Sequence, residues 1–280
     1  MIYLTGDLHH SSLCTGNQAH CEISEIQVAQ KFLRLLEERD LPATLFVSGK
    51  SFVEEWDDLA PICASPLIEI GGHNYSCFQR VLWHRLWNKV LGSYNGPAWC
   101  QAWDARRTIE IIRQRTGQRI RSWRNHMYMH GPYTERVLAN CGIDVCSDGV
   151  RSASRGPSAH PEGILNLPIN VIPDHEHLYH AERTPEWVQR WVERYDWSDD
   201  FGSASYYIDE WVEKVLEGLR ENEARGALSV MIIHPITMYL CDEFAGVERI
   251  LDYLAERSTE HVSSVCRNGG LPARWTRRAA

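Results

Sequence analysis

The sequence contains no long apolar run. No stretch reaches the roughly 20 residues of a membrane-spanning helix, so none is expected. It also lacks an excess of basic charge: 29 Lys and Arg stand against 37 Asp and Glu, a formal net charge of −8. That balance argues against a general nucleic-acid binder and against a binder of anionic membranes. The nine cysteines are odd in number and follow no framework spacing, which excludes a disulfide-stapled scaffold and fits a reducing compartment. The opening M-I-Y-L-T-G-D has neither a basic n-region nor a cleavage site, so a cytoplasmic location is expected. Internal repeats and low-complexity segments are missing too. What remains is 44% hydrophobic and 24% charged, ordinary for a globular protein. Eleven tryptophans are not ordinary. Seven of them (Trp83, Trp87, Trp99, Trp103, Trp187, Trp191 and Trp197) fall in two clusters, which suggests either an aromatic-walled cleft or a Trp-rich core.

Length alone permits one large α/β domain or two small ones at 280 residues. In order, Met1 to Thr5 reads as a short strand closing on Gly-Asp-Leu-His-His. Asp7 and His9 then share a face if the strand continues. Ile26, Val28, Phe32, Leu35 and Leu36 recur at helical spacing after Ser24 and Glu25. A-T-L-F-V-S-G is a strand, Ser51 to Ala60 a helix, and Leu67 onward a strand again. Strand-helix alternation predicts parallel pairing with right-handed crossovers. Phe78 to Pro97 reads as an amphipathic helix and a turn, and Trp103 to Thr116 as a second helix. The spacing then predicts helices over 134–141, 208–224 and 246–257, and strands at I-R-S-W-R, I-D-V-C-S-D, I-L-N-L-P-I-N-V-I-P and L-S-V-M-I-I-H-P. Residues 151–163 read as an exposed excursion and not a linker. The expectation is one domain over residues 1–265 with a loose tail over 266–280.

The stretch L-I-E-I-G-G-H-N-Y-S-C, Leu67 to Cys77, organises the rest. Its apolar run and two glycines predict a buried strand ending in a tight turn that presents His73 at the strand's C-terminal edge. A helix starting at Asn74 would place His73 and Cys77 one turn apart, a spacing at which two side chains share one metal ion. Other strand ends supply Asp7, His9, Arg124, Asp148 and His234. Polar residues at the C-terminal ends of parallel strands are what α/β barrels and open sheets use for their active sites.

These strand ends, in this order, resemble the polysaccharide deacetylase superfamily, the NodB-homology carbohydrate esterases (carbohydrate esterase family 4-like). The resemblance covers roughly Ile2 to Leu254 and implies a distorted, incomplete (β/α) barrel with parallel strands. L-T-G-D-L-H aligns with the family's Asp-x-Asp, placing Asp7 at the general base and His9 where a metal-binding aspartate is usual. H-N-Y-S-C keeps the first histidine of His-x-x-x-His as His73 and has Cys77 in place of the second. W-R-N-H-M-Y supplies the motif arginine as Arg124 without the usual Arg-x-Pro-x-Gly continuation. Asp148 is the candidate for the next aspartate, with Asp144 in reserve, and V-M-I-I-H ends on His234 as the family's last strand does.

By this resemblance the chain removes an N-acetyl group from a sugar or sugar conjugate, small or lipid-linked, with Asp7 as base, His234 as acid and Arg124 holding the base. His9, His73 and Cys77 would hold a divalent metal, zinc first among them. A second ligand set stays open: Asp7 itself, completed by His126 or His175. Tyr75, Trp123, Tyr128, Tyr133, His175 and His177 are candidates for substrate contact, the last two in the loop D-H-E-H-L-Y-H. Two other functions also stay open: a metal-independent hydrolase of a small amide, and a carbohydrate-binding barrel without activity.

Overall fold

The computed structural model describes residues 1–10, 16–76 and 81–268. In chain order it runs β1 (Ile2–Leu8), α1 (Glu25–Glu38), β2 (Ala43–Val47), α2 (Gly49–Glu54), α3 (Trp56–Ala64) and β3 (Ile68–Gly72). Next come α4 (Val81–Leu91), α5 (Ala98–Thr116), β4 (Ser122–Trp123), α6 (Thr134–Asn140), β5 (Val145–Cys146), β6 (Ser158–Ala159) and β7 (Leu165–Asn166). The chain continues through α7 (Asp174–His177), α8 (Pro185–Tyr195), α9 (Ile208–Ala224), β8 (Ser229–Ile233), α10 (Pro235–Asp242), α11 (Ala245–Ala255) and α12 (Val265–Asn268). The strands form one sheet in the order β6-β7-β5-β4-β3-β2-β1-β8. Every pairing is parallel except β6 with β7. The sheet curls into an open half-barrel, the distorted, incomplete (β/α) barrel expected. Among the described residues no helix is long and apolar enough to cross a membrane.

All seven residues of β1 are buried, because both faces of the sheet are covered. Outward-facing Leu4, Leu8, Leu45, Val47, Met231 and Ile233 join Ile26, Phe32 and Leu36 of α1 in the main core. On the inner face Tyr3, Phe46, Val145, Val230 and Ile232 form a second core, floored by Val262 and Val265. The helix over 24–39 forms because Ser24 caps it: its hydroxyl accepts from the Gln27 N–H while the Gln27 side chain accepts from the Ser24 N–H.

The barrel's missing seam lies between the chain after β7 and strand β8, and Asn170 bridges it. Its N–H donates to the Val230 carbonyl at 3.1 Å, and its Oδ1 accepts from the Val230 N–H at 2.8 Å. Its Nδ2 donates to the carbonyls of Leu228 and Ser154 at 2.7 and 2.8 Å. A side-chain amide thus does there what a strand ladder does elsewhere.

Several elements differ from expectation. The first strand runs on to Leu8, which carries Asp7 into the sheet. The helix expected over 51–60 is two, α2 and α3, broken at Glu55. The two glycines before His73 do not make the turn: both belong to β3, where a Cβ on Gly71 would lie 2.5 Å from the Phe46 ring and one on Gly72 2.3 Å from the Trp123 ring. The turn falls at Asn74, whose φ of +48° is left-handed, so no helix starts there. Pro235 starts a helix, α10, from its first position, where its fixed φ fits and its missing N–H costs nothing. The excursion over 151–163 carries β6, and the tail is helical through α12, with residues 269–280 outside the described part.

Candidate active site

Register builds the site. Gly6 pairs Ile233, Gly72 pairs Trp123 and Trp123 pairs Cys146, so the next residues, Asp7 with His234 and His73 with Arg124 and Ser147, lie side by side at the C-terminal edge of the sheet. Arg124 is fully buried and donates to the Asp7 Oδ1 at 2.9 Å. It also donates to the Thr5 hydroxyl at 2.9 Å, and to the Ser147 carbonyl and hydroxyl at 2.9 and 2.8 Å. Its guanidinium lies 4.4 Å from the centre of the Phe46 ring. A buried ion pair is weak evidence for stability, since desolvation offsets much of its attraction. Here it fixes one oxygen of Asp7 and leaves Oδ2 turned toward two histidines: His73 Nδ1 and His234 Nε2, each at 3.9 Å.

Above this pair three imidazoles converge. His73 Nδ1 donates to the Arg124 carbonyl at 2.9 Å, and a carbonyl only accepts, so the ring's Nε2 carries a bare lone pair. His9 Nδ1 lies 3.0 Å from the Glu25 carboxylate, which also accepts from the His9 N–H at 2.9 Å, so in the neutral ring Nε2 is the nitrogen with the lone pair. Those two Nε2 atoms face each other at 3.0 Å, and His126 Nδ1 lies 3.4 Å from His73 Nε2. The ligand atoms of His9, His73 and His126 all lie within 4.8 Å of one another. Burial, and then the neighbouring His9, push both His73 and His126 well below the ordinary imidazole range. Between two neutral rings, facing lone pairs repel unless a cation stands between them. A divalent ion fits: nitrogens ~2.0–2.1 Å from one tetrahedral zinc lie roughly 3.3 Å apart. Cys77, the expected third ligand, lies outside the described residues; His126, from the alternative set, is the third donor among them.

On the other side of Asp7 stands His234. Asp174, itself fully buried, accepts from the His234 N–H at 2.6 Å and lies 2.7 Å from its Nδ1. Burial disfavours the charged ring, but the Asp174 carboxylate, with help from Asp7, outweighs it and holds His234 up to about 9. Further out the His175 ring lies 5.4 Å from that of His234 and 5.5 Å from that of His180. Burial, then His234, keeps His175 well below its usual range, while burial raises the Glu176 carboxyl to about 7. The Tyr128 hydroxyl donates to Glu176 at 3.4 Å.

The other candidates lie as follows. Asp148 is turned away: its oxygens accept from the Asn125 N–H and Nδ2 at 2.8 and 2.6 Å, and burial pushes it up to about 6. The carboxylate beside His234 is Asp174, 60 residues before it in sequence. Asp144 pairs with Arg121 at the opposite end of β5. Trp123 is 1% exposed and donates to Asn125 Oδ1, so its ring stacks on Gly72 and not on a sugar. His177 is fully buried, its two nitrogens engaged by the Ala204 carbonyl and the Asp199 carboxylate, where it ties down the loop. Tyr75 lies under the Arg107 guanidinium at 3.4 Å. Sequence reasoning missed Glu25, which looks like any acidic residue in a first helical turn. Asp174 was visible only as one member of an acidic and His-rich loop.

Residues 23–146 match the polysaccharide deacetylase family. Over those residues the chain resembles a divergent polysaccharide deacetylase. Its fold resembles a structure named as a polysaccharide deacetylase from Mycobacterium smegmatis, at 17% identity and a TM-score of 0.72 over 95% of this chain and 88% of that one. It also resembles one named as a polysaccharide deacetylase from Pseudomonas aeruginosa PAO1, at 13% identity and a TM-score of 0.65 over 99% and 91%. A third is named Puue allantoinase, at 16% identity and a TM-score of 0.64 over 97% and 91%. At these identities the likeness is one of fold. No curated protein matches the chain.

Proposed function

We propose that this protein is a metal-dependent hydrolase that removes an N-acetyl group from a sugar or sugar conjugate. The observation that carries the reading is the convergence of His9, His73 and His126, with the Nε2 atoms of His9 and His73 3.0 Å apart, beside an arginine-held carboxylate. His9, His73 and His126 would hold the ion, and an all-nitrogen set with an open position suits zinc. When bound, the ion polarises the acyl oxygen and lowers the pKa of water toward neutrality.

The chain's own groups move the protons. Asp7 Oδ2 takes one from the attacking water as oxygen bonds to the acyl carbon, and the Arg124 contact on Oδ1 keeps the carboxylate aimed. His234, charged at neutral pH, gives the proton on Nε2 to the amide nitrogen as the C–N bond breaks. Acetic acid and a free amine leave, and the proton held on Asp7 passes to His234, which returns the pair to its starting state. Asp7 Oδ2 and His234 Nε2 are 3.9 Å apart, so one reacting centre reaches both.

The test is acetate release from a panel of N-acetylated amino sugars and their conjugates by the zinc-loaded protein. Asp7→Asn keeps the hydrogen bond to Arg124 but cannot take the proton. It should lower kcat/KM by ~10²–10⁴ while metal content stays the same. Undiminished turnover would overturn the assignment of the base. Turnover in protein stripped of metal would favour a metal-independent amide hydrolase instead.

A further inference from the structure

Of the eleven large apolar side chains that stand exposed among the described residues, six belong to α4 and the first turns of α5. They are Leu82, Trp83, Leu86, Val90, Trp99 and Trp103, each between 47% and 80% exposed. On α4 the sequence V-L-W-H-R-L-W-N-K-V-L places Leu82, Leu86, Val90 and Trp83 within about 100° of arc. The helix is attached by the adjoining side: Trp87 covers Gly96, and His84 Nδ1 lies 2.8 Å from the Tyr94 carbonyl. Its apolar face therefore points outward. An amphipathic helix on a globular surface normally faces the core, so this one is inverted.

The charge around it is inverted as well. The whole chain is at −8, yet residues 81–107 carry Arg85, Lys89, Arg106 and Arg107 against Asp104 alone. All four basic residues are exposed, and Asp104 is occupied by the Asn74 Nδ2 and the Tyr75 N–H. A second copy seated on this face by a two-fold axis would bring basic residues against basic residues with no free acid to offset them. Tryptophan and leucine on one side, with Arg and Lys beside them, are instead the composition of a helix that lies in the headgroup layer of an anionic bilayer.

We propose that α4 and the start of α5 form a docking face for an anionic phospholipid surface. The net negative charge of the chain, which argues against such a partner, averages over a molecule whose basic residues are concentrated where the apolar ones are exposed. The face is joined to the candidate active site through Asn74, which donates to Asp104 of α5 and accepts from the His126 N–H at 2.8 Å. A protein seated this way holds its three-histidine centre next to the lipid surface.

Vesicle flotation tests this without reference to catalysis. The full chain should float with phosphatidylcholine vesicles containing phosphatidylglycerol, and much less with phosphatidylcholine alone. Leu82→Asp with Leu86→Asp should weaken the partition by about tenfold or more, and Arg85→Glu with Lys89→Glu should remove the preference for the anionic lipid. All four side chains are exposed, so unchanged melting temperatures should accompany both variants. Failure to float with anionic vesicles, or flotation that both variants retain, would overturn the proposal. So would a dimer in light scattering that the leucine substitutions dissolve, which would make a second copy the occupant.

Discussion

Glu25 and Asp174 touch none of the reacting atoms in this account, yet each sets the state of a histidine that does. Glu25 holds His9 through both ring Nδ1 and backbone N–H, so the direction in which Nε2 points is fixed. Glu25→Gln keeps the shape and removes the charge, and outer partners of this kind typically matter ~10–100-fold in metal affinity. A loss of that size in zinc affinity, by competition with a chelator, is the expected result. Asp174 sets His234. Because the folded pKa, about 9, lies above the ordinary value of 6.5, the contact contributes stability that is fully present below pH 6.5 and is lost as pH rises through about 9. Asp174→Asn should therefore destabilise the protein most at low pH and little above 9. In the same variant the alkaline limb of kcat/KM should move to lower pH. An alkaline limb unmoved by Asp174→Asn would separate His234 from the acid's role.

At the scale of elements, how well the sequence could be read tracks how local the cause is. Helix α1 follows from spacing and a capping box that lie within a few residues of one another, and α9 from spacing alone. The glycines before His73 signalled a constraint correctly, but not its nature: their need is set by Phe46 and Trp123 on neighbouring strands, which no local pattern contains. Asn170 is the extreme case. In sequence it is one polar residue inside L-P-I-N-V; in the fold it spans the open seam of the barrel with four hydrogen bonds, one of them through its backbone N–H. Asn170→Ala strips the Val230 N–H and two carbonyls of their partner, at roughly 1–3 kcal/mol for each buried group left unpaired. Urea unfolding should show a loss of at least about 1 kcal/mol; an unchanged midpoint would mean the seam is held by the hydrophobic contacts alone.

For the molecule as a whole, the order of strands and the inward parity of their ends were legible, because parallel pairing and a period of two follow from sequence pattern. Asp7, His9, His73, Arg124 and His234 stood out as polar residues at strand ends and through the family resemblance, and the fold brings them together. His126 was harder to place, since it enters from a loop after β4 held by the left-handed Met127, and loops carry no period to read. Net charge is a sum over the surface and carries no position, whereas the basic residues of α4 stand together. The central claim concerns the three histidines, and equilibrium zinc content measures it most directly. Purified protein dialysed against limiting zinc should hold one ion per chain. His126→Ala should lose most of it while keeping its fold by circular dichroism, and Cys77→Ser should hold zinc as the parent does. Full zinc in His126→Ala together with loss in Cys77→Ser would contradict the three-histidine centre and return the metal to the His73 and Cys77 pair.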